Sequence, residues 1–165
     1  MWQQIGSKRG WSCALAIIVW VSGFQLGLYA QQTTKLTPKV LAMVSTPPLE
    51  VKDDDPPLLQ LKKQRFNAAL SEIKDRADLY NRGLTRASVL IPTAARLFAA
   101  EVDLYEKPEE KAQVLQRHLD IYNEAQANLD KQVRDGVVPH AELERLLYDK
   151  LSVEIDLFNL KNAHQ

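Results

Sequence analysis

The sequence predicts an all-α protein: four antiparallel helices arranged as two tandem helical hairpins, preceded by an N-terminal signal or anchor helix and a disordered linker. Three observations predict it. From Pro57 onward apolar residues step alternately by four and three, the spacing of a helical seam. Prolines stand where these segments open and glycines where they close. The only glycines after residue 30, Gly83 and Gly136, lie 53 residues apart, and that offset superposes the helices beyond them.

Residues 1–10 are polar and carry Lys8 and Arg9, whereas Trp11 to Ala30 hold no charge. This is the charge and hydropathy order of an export signal, whose basic side stays in the cytoplasm. The densest apolar part, Ala14 to Val21, is short for a spanning helix, and Ser22, Gly23, Gln25 and Gly27 dilute the remainder of the run, which favours cleavage. The whole uncharged run, about 20 residues, is also long enough to stay as a membrane anchor. Membrane contact is expected through residues 11–30, and the rest of the chain is expected to be extracytoplasmic, periplasmic or secreted. Cys13 is the only cysteine, so the exported part can form no internal disulfide and no thiolate metal site.

Residues 31–57 change character, with Pro38, Pro47 and Pro48 leading to Asp53, Asp54, Asp55, Pro56 and Pro57. They read as an extended Pro/Asp-rich linker that proline keeps semi-rigid and the acids keep solvated. The apolar island Val40 to Val44 is the one part that could dock. A calcium loop is not indicated, because it needs alternating ligands, a turn glycine and a distal glutamate.

A helical domain is expected over 58–163, with an internal repeat of 58–107 and 108–161. The first helix carries Phe66, Leu70, Ile73, Ala77, Tyr80 and Leu84 on its seam, and the second, over 85–105, carries Leu90, Ala94, Phe98, Val102 and Tyr105. Pro92 should kink the second helix or mark where it resumes. The third starts at Pro108 with Glu109 and Glu110 in its first turn, as favours the positive end of a helix, and its seam is Leu115, Leu119, Tyr122, Gln126, Leu129 and Val133. The fourth opens at Pro139 with Leu143, Leu147, Leu151, Ile155 and Phe158. At the repeat offset Leu90 meets Leu143, Ala94 meets Leu147, Phe98 meets Leu151, Val102 meets Ile155 and Tyr105 meets Phe158, so one core stripe is expected twice. Each glycine stands just past a helix end, where a left-handed residue turns the chain, and the short connections force antiparallel neighbours.

The stretches after the glycines, above all Gly136 to Leu143 with Leu151 to Phe158, resemble the helical-hairpin segments of TolC-type outer-membrane efflux proteins. The resemblance spans about residues 58–161 and implies helical hairpins in a coiled-coil-like arrangement and an efflux-associated setting. The chain departs from that family in lacking the alternating strands of a barrel, so a conducting channel is not implied and no functional residue carries over.

Side-chain chemistry points away from an enzyme. Glu101 with Asp103, and Glu154 with Asp156, recur in the repeat, but residues two apart on a helix diverge, which suits solvated faces or ion pairs to Arg96, Lys150 or Lys161. His118, His140 and His164 show no ligand spacing, and no nucleophile set or phosphate loop is present. Catalytic, cofactor-binding and metal residues are therefore expected to be none, with no cofactor. Gln126 reads as a register-setting polar residue in its seam, and the tyrosines as core residues with an edge hydroxyl. Lys plus Arg and Asp plus Glu balance at 21 each; without Lys8 and Arg9 the exported part has 19 basic against 21 acidic side chains, which excludes the basic excess of a nucleic-acid binder. The expected function is an exported, non-enzymatic interaction or scaffold module of the cell envelope, acting by self-association or on a protein partner through its seams. The alternative is an extracytoplasmic ligand-sensing or holdase-type bundle.

Overall fold

The computed structural model describes residues 36–162. The predicted signal or anchor segment and residues 31–35 of the predicted linker lie outside the described residues. The described residues form five helices in order: α1 (Pro38–Val44), α2 (Pro57–Asn81), α3 (Ala87–Val102), α4 (Pro108–Arg134) and α5 (His140–Asn162). No strand occurs among the described residues. The described chain is all-α, as its periodicity predicts.

Two hairpins form because two turns are built alike. Gly83 and Gly136 both take φ +70°, a left-handed conformation that other residues adopt at a cost. Beyond α2 the Gly83 N–H donates to the Tyr80 carbonyl and the Leu84 N–H to the Leu79 carbonyl. Beyond α4 the Gly136 N–H donates to Val133 and the Val137 N–H to Gln132. These are the paired bonds that satisfy the last free carbonyls of a helix while reversing the chain. α2 therefore folds back on α3, and α4 on α5.

The hairpins meet through α3, which packs on both α4 and α5, whereas α2 approaches neither. α3 is buried on two sides. Leu97 and Ala100 join Phe66, Leu70 and Ile73 of α2 in one cluster, while Ile91 and Phe98 join Tyr122 and Leu129 of α4 and Leu143 and Leu146 of α5 in another. Helix α3 continues through Pro92. The residue sits in the second turn, and the Thr93 hydroxyl donates to the Val89 carbonyl at 2.8 Å beside it.

Three expectations need correction. Residues 36–57 are not a disordered spacer: the apolar island forms α1, which lies against α2 and α4. Met43, Val44 and Leu49 pack on the α2–α3 cluster, a burial that an extended linker would forgo. Asn67 of α2 fixes the segment beyond, accepting from the Leu49 N–H and donating to the Leu49 carbonyl, both at 2.7 Å. Lys74 donates to the Thr46 carbonyl at 2.7 Å. Of the acid triplet, Asp55 pairs with Lys63 of α2 and accepts the Lys52 N–H, and these hold its carboxyl below the ordinary range.

The second correction concerns α5. It does not bury the stripe the repeat predicts: Leu143, Leu146 and Leu157 are buried, whereas Leu151, Ile155 and Phe158 are 54%, 59% and 66% exposed. The helix carries two apolar stripes, and the one containing Leu146, Val153 and Leu157 faces α4. The third concerns tyrosine. Tyr122 is buried as expected, but Tyr148 is 72% exposed, on the same open side as Leu151.

Candidate functional site

The open side of α5 is a surface with a defined pattern. Tyr148, Leu151, Ile155 and Phe158 step by three, four and three, which places them on one line along the helix, opposite its packed face. Four large apolar side chains, each more than half exposed on 23 residues of helix, form a continuous patch rather than the scattered apolar surface usual for a soluble domain.

A surface at the same offset, the 53 residues between Gly83 and Gly136, lies on α3. Fifty-three residues before Tyr148, Leu151, Ile155 and Phe158, α3 and its C-terminal extension present Ala95, Phe98, Val102 and Tyr105. Phe98 is buried against the second hairpin, with its ring stacked on His118 at a centroid separation of 4.0 Å and edge-on to Tyr122 at 5.3 Å. Val102 packs against the cluster of Leu115 and Leu119 of α4 and Leu157 of α5. The face that receives a helical hairpin on α3 thus recurs on α5, where no described residue covers it.

Behind the α3 face lies a partly buried polar cluster. Glu101 of α3 accepts from Arg117 at 2.7 Å through Oε1 and lies 2.8 Å from His118 Nε2 through Oε2. Burial alone would raise the Glu101 carboxyl, but hydrogen bonds and charge from His118 and Arg117 outweigh it and hold the group below its ordinary value. Glu101 is therefore a carboxylate that can only accept, so Nε2 carries a proton. His118 is buried, and its Nδ1 has no partner among the described residues. Nearby, burial raises the Asp149 carboxyl against the pull of Arg145, and burial followed by the Asp149 charge raises the Tyr122 hydroxyl.

Sequence-predicted residues separate into two groups. Glu101 and His118 come together; Asp103 instead pairs with Arg65, and Arg96 with Glu72. Glu154 lies 3.7 Å from Lys150, as expected of a helix ion pair, and Lys150 also donates to Gln126 at 3.1 Å. Gln126 thereby ties α4 to α5 in register. His140 lies at the start of α5, near Glu144, and His164 lies outside the described residues. No group of three or more His, Cys, Asp or Glu suited to a metal ion occurs among the described residues. Sequence reasoning gives His118 no place in the core, although its spacing from Leu115 and Tyr122 puts it on their stripe.

A second concavity lies under α1. Leu36, Val40 and Met43 roof an apolar cavity of about 100 Å³ whose walls include Ile73 and Ala77 of α2, Ile91 and Phe98 of α3, and Leu129 of α4. The Thr37 hydroxyl borders it, buried and without a partner among the described residues.

Fold and surface together define the class: an all-α protein whose described residues form two stacked helical hairpins, with an apolar face of α5 that no described residue covers. Comparison with protein families, with curated proteins and with solved structures gives no match.

Proposed function

We propose that the protein is an exported, non-enzymatic interaction module of the cell envelope that pairs with helices through the outward seam of α5. One observation carries this reading: Leu151 and Ile155 occupy the repeat positions of Phe98 and Val102, which pack against a neighbouring hairpin, yet they stand open. Exposed apolar surface of this regularity favours helix-in-groove or helix-on-helix recognition, in which a few anchors at helical spacing supply most of the affinity. The uncharged run from Trp11 to Ala30 behind Lys8 and Arg9 supports export, and the likeness of the hairpins to TolC-type segments is compatible with an efflux-associated setting.

A photo-crosslinking side chain at Ile155, in the cells that make the protein, tests the reading. The α5 seam should give a defined adduct with an extracytoplasmic helical segment, while the same group at exposed Gln116 on α4 should give none. Absence of an Ile155 adduct, or equal yield from both positions, would count against it.

The cavity under α1 favours a second reading, a bundle that senses a small apolar ligand with one hydrogen-bonding group for the Thr37 hydroxyl. That reading requires the melting temperature to rise with ligand and the protein to remain monomeric as concentration increases.

A further inference from the structure

Resting on the proposed role of the α5 seam, we infer that its occupant is a second copy of this chain, bound as a two-fold antiparallel α5–α5 pair. The carrying observation is that the seam is palindromic. Glu144, Tyr148, Leu151, Ile155, Phe158 and Asn162 step by four, three, four, three and four, and read from either end they run polar, aromatic, aliphatic, aliphatic, aromatic, polar. A two-fold axis at residue 153 therefore sets Leu151 against Ile155 of the copy, Tyr148 against Phe158, and Glu144 against Asn162. Equal layers meet equal layers, and the alternation of four and three is that of a coiled-coil seam. A two-fold contact needs this self-complementarity, because one patch must serve on both partners.

Charge at the flanks of the seam tolerates this pairing. The two-fold keeps each flank of the seam on its own side, so Ser152 adjoins Ser152 of the copy on one flank. On the other, Glu154 approaches Glu154 of the copy at the solvent edge, each with Lys150 of its own helix 3.7 Å away. Arg145 and Lys161 lie on opposite flanks and do not meet: Arg145 adjoins Asn159 of the copy, and Lys161 adjoins Leu147 of the copy.

Other arrangements fit less well. A parallel pair would place Glu144 against Glu144 of the copy inside the seam, with like charges adjacent. A head-to-tail stack would seat α2 of one copy on α5 of the next, as α4 sits on α3. At the repeat offset, however, the α4 residues Ile121, Ala125 and Leu129 are replaced on α2 by Ala68, Glu72 and Arg76. Glu72 is also engaged with Arg96 of α3. The apolar counter-surface is missing from α2, so growth into an open chain of copies is disfavoured and the contact closes at two.

The test uses the full-length chain with Cys13→Ser and, in two differently tagged versions, Glu144→Cys or Asn162→Cys. Both sites are exposed and lie outside the packed core. In an antiparallel pair the two positions adjoin across the axis, while each lies about 27 Å from its own equivalent, at 1.5 Å per residue. Mild oxidation of the mixture should give the mixed disulfide dimer in large excess over either like dimer. A Leu151→Glu substitution added to both versions should abolish the dimer while leaving the melting temperature within about 2 °C, which separates lost pairing from lost folding. Preferential Glu144→Cys self-linkage, or no dimer at all, overturns the inference. If no dimer forms and Ile155 still crosslinks to a different envelope protein, the interaction role stands and only the identity of the occupant falls. If neither occurs, both fall.

Discussion

Phe98 and Leu151 lie 53 residues apart, the spacing that also separates the two left-handed turns at Gly83 and Gly136, yet Phe98 is 3% exposed and Leu151 is 54% exposed. One faces a hairpin and the other faces solvent. Truncation should therefore act differently at the two sites. Phe98→Ala removes a ring packed against His118 and Tyr122 and should cost about 3–5 kcal/mol in urea unfolding. Leu151→Ala should change monomer stability by less than about 0.5 kcal/mol and lower association instead. Comparable losses at both positions would show that α5 buries the seam within the monomer.

At Gly136 the prediction is conformational. Its φ of +70° is left-handed, and a Cβ placed there meets no atom within 4 Å, so nothing steric in the surroundings opposes a side chain. Gly136→Ala should cost about 1–2 kcal/mol through the backbone alone. Gly136→Asn should recover part of that loss, because asparagine tolerates this region better.

Asn67 tests whether the segment before α2 belongs to the folded domain. Asn67→Ala leaves the Leu49 N–H and carbonyl without their partner and should destabilise the protein by about 1–3 kcal/mol. Hydrogen exchange should accelerate at residues 45–52 well before the α4–α5 hairpin responds. Unchanged exchange there would show that Met43, Val44 and Leu49 hold the segment without the clamp.

Two carboxyl groups give pH effects of opposite sign. The Glu101 value is lowered on folding, so its contribution is present above the ordinary value of 4.5 and is lost as pH falls through the folded value. Asp149 is raised by burial, so its ionisation destabilises the fold at neutral pH, and that penalty disappears as pH falls through its raised value. Asp149→Asn should then raise the melting temperature at pH 7 by about 1–2 °C, a small gain because solvent still reaches the group, and Glu101→Gln should lower it. The acid-induced loss of stability should be shallower in Glu101→Gln than in the parent chain. A parallel shift of both variants across the whole pH range would refute the assignment.

The sequence made some of this structure legible and hid the rest for physical reasons. Gly83 and Gly136 marked both reversals because a left-handed turn residue leaves a compositional trace. Phe66, Leu70, Ile73 and Ala77 marked the buried face of α2 because that helix has one apolar stripe. α5 has two, and periodicity alone does not decide which of Leu146 or Leu151 turns inward. The answer depends on the α4 surface it meets. Residues 36–57 looked like linker because their order comes from distant partners, Asn67 and Lys74, rather than from local propensity. Glu101 and His118, on different helices, meet only once the two hairpins stack.

In the working protein the α5 seam is expected to be covered. Ile155→Cys, in a Cys13→Ser background, measures this directly through its rate of labelling by a membrane-impermeant maleimide. Ile155 is 59% exposed, so the dilute purified protein should label at the rate of a free surface thiol. In the cells that make the protein, where the proposed export would bring it within reach of the reagent, labelling should slow at least about tenfold, the mark of a seam occupied nine parts in ten, while a cysteine at exposed Gln116 labels equally in both settings. Equal rates for Ile155→Cys in the two settings would show that the seam stays open in the cell.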